Sequence, residues 1–289
     1  MLVSKVGEVL ESMYPLRREL VPLFIGPPGI GKTQGIYQFA ESIGVNVVTF
    51  ILSNTVPSEL SGIRMPDTEK RTLEVFDDAR MASLKDGDIL FLDEILEAPP
   101  ALWSACLTLI QDRIMASGRK LPDVMIVAAS NPLPNPTMIS ASVRDRFITF
   151  DVKWDEYSWR LWFSKNKGIR PSSKFCSISE EDSNGWNILT PRKMTKLWDW
   201  AKAEIERSGD PEFVIELINE MHGGVAAQRY KEMIEETPDK KNQVLKALEG
   251  FDVPDDILDM TFEKMLEYLM SRDDWEDIKK VLEETTLEE

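Results

Sequence analysis

Apolar and polar positions follow two rhythms along the chain. Residues 3–20 set Val3, Val6, Val9, Leu10 and Met13 at helical spacing among charged neighbours. VPLFIG (21–26) is a continuous apolar run of strand length, and the loop-like GPPGIGKT follows from Gly26. TQGIYQFAESIG, from Thr33, returns to helical spacing and stops at Gly44. Four more apolar or β-branched runs follow: NVVTFILS (46–53), GDILFLDEI (87–95), DVMIVAASN (123–131) and RFITFDV (146–152). Strands alternating with helices predict an α/β fold, a five-stranded parallel sheet with right-handed crossovers and helices on its faces.

Two stretches break the alternation. GIRMPDTEKRTLEVF (62–76) has turn signals at Pro66-Asp67, and DRIMASGRKLP (112–122) has them at Ser117-Gly118. Both read as hairpins inserted into the core. After Val152 the texture is helical, in WDEYSWRLWFSKN, PRKMTKLWDWAKAEIER and PEFVIELINEM, with a polar loop over about 166–189. The expected organisation is an α/β core over 1–152, a smaller all-helical lid over 153–232 and an acidic helical extension over 233–289. Trp159 and Trp162, with Leu161 and Leu197, fit helix packing better than a base-stacking surface.

Composition narrows the chemistry. Hydrophobic residues are 43% and charged residues 29%, ordinary for a globular protein. Two cysteines and one histidine, His222, exclude a disulfide framework, a zinc site and a His-based triad. No apolar run reaches the roughly 20 residues of a membrane span, and no signal peptide is read at the N-terminus, so no membrane partner and a cytoplasmic setting are expected. The formal charge is −16, of which residues 251–289, with 14 acids and 4 basic residues, carry −10. That balance argues against a broad grip on nucleic acid, which needs many Lys and Arg contacts to phosphate. The tail itself reads as a solvated charged face or as a docking element.

GPPGIGKT nevertheless points to a polyanion. Gly26, Gly31, Lys32 and Thr33 fit G-x-x-x-x-G-K-[ST] between a strand and a helix. In such a loop backbone amides turn toward the phosphates, a lysine reaches the β- and γ-phosphates, and a hydroxyl ligates Mg²⁺ at the positive end of a helix. Gly26, Pro27, Pro28, Gly29, Ile30, Gly31, Lys32, Thr33 and Gln34 are therefore the candidate contacts to ATP. Asp93 and Glu94 close an apolar strand in ILFLDEI. Asp93 is the candidate metal residue beside Thr33, and Glu94 the candidate base that polarises the attacking water. Asn131, at the end of VAASN, could orient that water. Arg144 or Arg146, in SASVRDRF, could serve as an arginine finger. Arg192, in LTPRKM, could fold over the nucleotide from a helix that Thr190 caps and Pro191 opens. Each has a plain alternative: a turn-forming Asn-Pro, cations at a helix end, a solvated arginine.

Together GPPGIGKT, ILFLDEI, VAASNP, SVRDRF and TPRKM resemble, in order, Walker A, Walker B, sensor 1, arginine finger and sensor 2 of the AAA+ ATPases. The resemblance spans about residues 20–225. SELSGIRMPD, the Walker B helix DGDILFLDEILEAPPALWSACLTLIQDR, RIMASGRKLP and the lid-helix ending HGGVAAQRY are most similar to the MoxR branch of the helix-2-insert clade. NPLPNPTMISASVRDRF is shorter than that branch's usual segment, and Arg146, next to Phe147, is favoured as the finger over Arg144.

The resemblance implies ATP and Mg²⁺ as ligands, ATPase activity, and a homo-oligomeric ring, usually hexameric, with Arg146 supplied to the neighbour. It also implies chaperone-like remodelling of a protein substrate, with a von Willebrand factor A-type partner in many members. Arg64, Met65 and Lys70 on the 62–76 hairpin would touch substrate, or would simply belong to a stabilising surface hairpin. A nucleic-acid motor or loader is the alternative, through Arg64, Lys70, Arg71, Arg119 and Lys120. A nucleotide-dependent scaffold with little turnover is a third class, against which Glu94 argues.

Overall fold

A computed structural model describes residues 1–132, 145–167, 171, 190–235, 248, 251 and 262–279. Arg144, Cys176, most of the 166–189 loop and the last ten residues lie outside them. The chain forms two compact units, Met1–Asp155 and Glu156–Glu289.

In the first unit, five parallel strands lie in the order β2-β5-β6-β1-β7. They are β1 (Pro22–Ile25), β2 (Val47–Ile51), β5 (Ile89–Asp93), β6 (Met125–Ser130) and β7 (Ile148–Asp151), one for each apolar run. Both faces of the central strands are buried, which is why their sequences are continuously apolar. Alternate residues serve opposite cores. Ile89 and Phe91 pack with Val6, Leu10, Ile36 and Phe39 from α1 (Val6–Met13) and α2 (Lys32–Ile43). Leu90 and Leu92 pack with Leu102, Cys106 and Leu109 from α5 (Pro100–Asp112), which follows the short helices α3 (Pro57–Ser61) and α4 (Ala79–Ser83). Each fully buried large side chain contributes about 1.5–3 kcal/mol. Burial pushes the Cys106 thiol up to about 12, as expected of a packing residue rather than a nucleophile.

Both insertions are antiparallel, and they differ in extent. Residues 62–76 form an antiparallel pair, β3 (Ile63–Asp67) and β4 (Thr72–Phe76). Its turn is not at Pro66-Asp67, which lie inside β3, but at 68–71. The Asp67 carboxylate accepts the Glu69 and Lys70 amides at 3.0 and 2.9 Å and builds that turn. Pro66 is tolerated because a two-stranded ribbon is all edge. Residues 112–122 make a shorter hairpin, its Ile114–Lys120 bridge flanked by the Met115 amide donating to the Arg119 carbonyl at 2.8 Å and the Leu121 amide to the Arg113 carbonyl at 2.7 Å. Arg113, at φ 54°, closes α5, and the Gly118 amide donates to the Met115 carbonyl at 2.9 Å in the turn expected at Ser117-Gly118.

The second unit is helical: Glu156–Lys167, Pro191–Ser208, Pro211–His222, Gly224–Glu235 and Phe262–Met270 among the described residues. The helix Pro211–His222 ends at HGG with Gly223 as its cap, and the next helix begins at Gly224. Trp159, Phe163 and Trp198 form its aromatic core, with ring centroids 4.9 and 6.2 Å apart. Leu161 and Trp162 are exposed, so the packing partner of Trp159 on that helix is Phe163. No described helix is long and apolar enough to cross a membrane.

Candidate active site

Parallel sheets of this kind bind ligands beyond the carboxyl ends of their strands. At those ends β1 delivers Gly26, β5 delivers Asp93 and β6 delivers Asn131, and β6 lies between the other two. The Gly26 amide donates to the Ser130 carbonyl at 3.2 Å and fixes the loop to the end of β6. A Cβ at Gly26 would stand 2.4 Å from the Val152 carbonyl oxygen, so the backbone can leave β1 here only without a side chain. Gly31, at φ 110°, turns the chain directly into α2, where a residue with a Cβ would be strained.

Lys32 opens α2 and is buried. Its ammonium donates to the Gly26 and Pro27 carbonyls at 2.6 and 2.9 Å and to Asn131 Oδ1 at 3.4 Å. Thr33 Oγ1 donates to Asp93 Oδ2 at 3.3 Å. Burial pushes the Asp93 carboxyl above its ordinary value, and the Glu94 charge adds to this; the Glu94 amide, the Thr33 hydroxyl and the Lys32 charge pull the other way. Lys32, Thr33, Asp93 and Asn131 thus meet in one place. Pro27, Pro28 and Gln34 are exposed, Gly29 is half-buried and Ile30 is buried.

Glu94 follows Asp93 in the left-handed region, at φ 56° and ψ 34°. A non-glycine residue there is costly by about 1–2 kcal/mol and turns its side chain away from the strand direction. Its carboxylate accepts the Ser53 hydroxyl, which stands just beyond β2. Asn131 Nδ2 donates to Glu97 Oε1 at 3.1 Å. Ser53 and Glu97 join the site unannounced by the sequence: a serine after a strand and a third acid in LDEILE carry no motif, and only the strand order brings them in.

Arg146, half-buried before β7, donates to Gln111 Oε1 of α5 at 3.0 and 2.6 Å. Arg192 is exposed in the first turn of its helix in the second unit. Thr190 caps that helix, accepting the Lys193 amide at 3.2 Å, and Pro191 opens it, as expected.

Residues 22–147 match the family model described as the AAA domain of the dynein-related subfamily. The chain carries an AAA domain. An uncharacterized protein of Methanocaldococcus jannaschii is 26% identical over 253 residues, 81% of this chain and 64% of that protein. The Holliday junction branch migration complex subunit RuvB of Campylobacter fetus is 29% identical over 199 residues, 64% of this chain and 53% of its own length. The chain therefore spans no more than 64% of the length of these two relatives. The solved Thermotoga maritima RuvB Holliday junction branch migration motor superposes with a TM-score of 0.51 at 18% identity, over 91% of this chain and 85% of that one. At that identity the likeness is one of fold: the AAA+ arrangement of a five-stranded parallel sheet flanked by helices, with a helical C-terminal region.

Proposed function

We propose that the chain is a Mg·ATP-hydrolysing AAA+ ATPase that works as a homo-oligomeric ring. The carrying observation is the meeting of Lys32, Thr33, Asp93 and Asn131 at the carboxyl ends of β1, β5 and β6. The donor set fits the ligands. Thr33 Oγ1 and Asp93 Oδ2 are neighbouring hard oxygens of the kind Mg²⁺ takes. The metal, when bound, neutralises charge on the phosphate oxygens. Residues 26–34 bind the triphosphate through loop amides and the α2 N-terminus, and Lys32 adds a positive charge. Glu94 takes the proton of the attacking water, and Asn131 orients that water. Arg146 stabilises charge on the neighbour's nucleotide, and Arg192 closes over the phosphates from the lid. The lid is residues 153–232, and 233–289 are an acidic extension. A cytoplasmic setting is part of the same reading.

The work done is remodelling of a protein partner, as in the MoxR branch. The β3–β4 hairpin supports this: Ile63, Met65, Leu73 and Phe76 are each more than half exposed there, a surface suited to polypeptide. Its Lys70 is paired with Asp67 and Glu74, and Arg119 of the neighbouring insertion with Asp77. A second reading, a nucleic-acid motor, is favoured by the relatives named as Holliday junction branch migration subunits. Phosphate release by the purified chain, with Mg²⁺ and with EDTA, tests the ATPase. Turnover is expected only with the metal and is lost in Lys32→Ala through weaker nucleotide binding. Stimulation by duplex DNA that fades with salt selects the second reading; stimulation by a co-purified protein selects the first.

A further inference from the structure

We propose that Glu97 is a positioning residue for hydrolysis, acting through the Asn131 amide; the inference rests on the ATPase reading above. Glu97 ends the short 3-10 turn Ile95–Glu97 that follows β5, and its amide donates to the Glu94 carbonyl at 3.0 Å. Ile95 and Leu96 of that turn are buried, whereas the Glu97 side chain is exposed and has no packing task. What it does is accept Asn131 Nδ2 at 3.1 Å, while Asn131 Oδ1 accepts the Lys32 ammonium at 3.4 Å. A flipped amide would set its NH₂ against the ammonium and its carbonyl against the carboxylate, two repulsive contacts in place of two attractive ones. Glu97 and Lys32 therefore fix which end of the amide faces the phosphate loop.

The backbone around Asn131 is already held. The Ser130 hydroxyl accepts the Leu96 amide at 3.3 Å, and the Ser130 carbonyl accepts the Gly26 amide at 3.2 Å. These bonds tie the turn, the end of β6 and the phosphate loop into one frame. The freedom left to Asn131 is rotation of its side chain, and Glu97 removes it. Oδ1 is then presented to the site as an acceptor for the water that Glu94 deprotonates, and no water has to be ordered by a mobile amide.

The test is steady-state hydrolysis by the wild type, Glu97→Ala, Glu97→Gln, Asn131→Ala and the double variant Glu97→Ala/Asn131→Ala. Glu97→Ala is expected to lower kcat about tenfold, the worth of one charge-assisted hydrogen bond, and to leave KM for Mg·ATP within about twofold. Glu97→Gln keeps an acceptor oxygen and is expected to recover most of the loss. The double variant is expected to be no slower than Asn131→Ala alone, because the two residues act as a unit. Wild-type kcat in Glu97→Ala, losses that multiply in the double variant, or a Gln variant as slow as the Ala variant overturns the inference and leaves the ATPase reading standing. A wild type that does not hydrolyse Mg·ATP overturns both.

Discussion

Glu94 carries the sharpest local tension in the site. Its backbone is in the left-handed region and its carboxylate is engaged by Ser53. That hydrogen bond occupies a carboxylate oxygen that would otherwise accept the proton of the attacking water. Ser53→Ala should therefore raise basal turnover about two- to fivefold, with nucleotide affinity unchanged; a fall in turnover would show that Ser53 assists Glu94 instead. Lys32 has a different problem, since its ammonium is buried against two carbonyls of its own loop. Phosphate offers it a full negative charge in place of those dipoles. Lys32→Ala should weaken nucleotide binding by at least about tenfold in a fluorescence titration.

At the scale of elements, Asp77 joins the two insertions. It stands just beyond β4, and its side chain is 3% exposed. It accepts the Ser117 amide and hydroxyl at 2.8 and 2.5 Å and Arg119 Nη2 at 2.8 Å. Burial pushes its carboxyl up, but the Ser117 and Arg119 hydrogen bonds outweigh burial and hold it below its ordinary value. A depressed folded-state value means stability present above the unfolded value near 3.8 and lost as pH falls through the lower folded one. Asp77→Ala should cost about 2 kcal/mol in denaturant unfolding at neutral pH, and the difference from wild type should shrink below about pH 4. An undiminished difference in acid would mean that the carboxylate charge is not what anchors the insertions. None of this was legible in the sequence, where Asp77 is one acid among fifty. The five strands were legible, because strands buried on both faces must be continuously apolar. The phosphate loop was legible because its glycines answer to local backbone geometry. The β3–β4 turn was misplaced because the Asp67 side chain, not the Pro66-Asp67 pair, sets it, whereas the Ser117-Gly118 turn of the second insertion was legible because a glycine at positive φ answers to local backbone geometry.

At the scale of the whole molecule, the strand order gathers into one place residues as far apart in sequence as Ser53, Glu94 and Asn131, which no single segment could do. The net −10 on residues 251–289 leaves the phosphate-binding region to work through local dipoles and a few cations. Completion of the site by a neighbour is the proposal that depends on assembly. Arg146→Ala should lower turnover about 10³-fold or more without changing nucleotide affinity. Light scattering should find a larger particle with ATP than without it, and a monomer under both conditions would leave Arg146 no nucleotide to act on. The most direct test of the central claim, that Lys32, Asp93 and Glu94 converge on one triphosphate–magnesium site, is to measure nucleotide affinity and phosphate release side by side on Glu94→Gln. Affinity at the wild-type level with turnover reduced about 10²–10⁴-fold is the predicted result; turnover at the wild-type rate would contradict it.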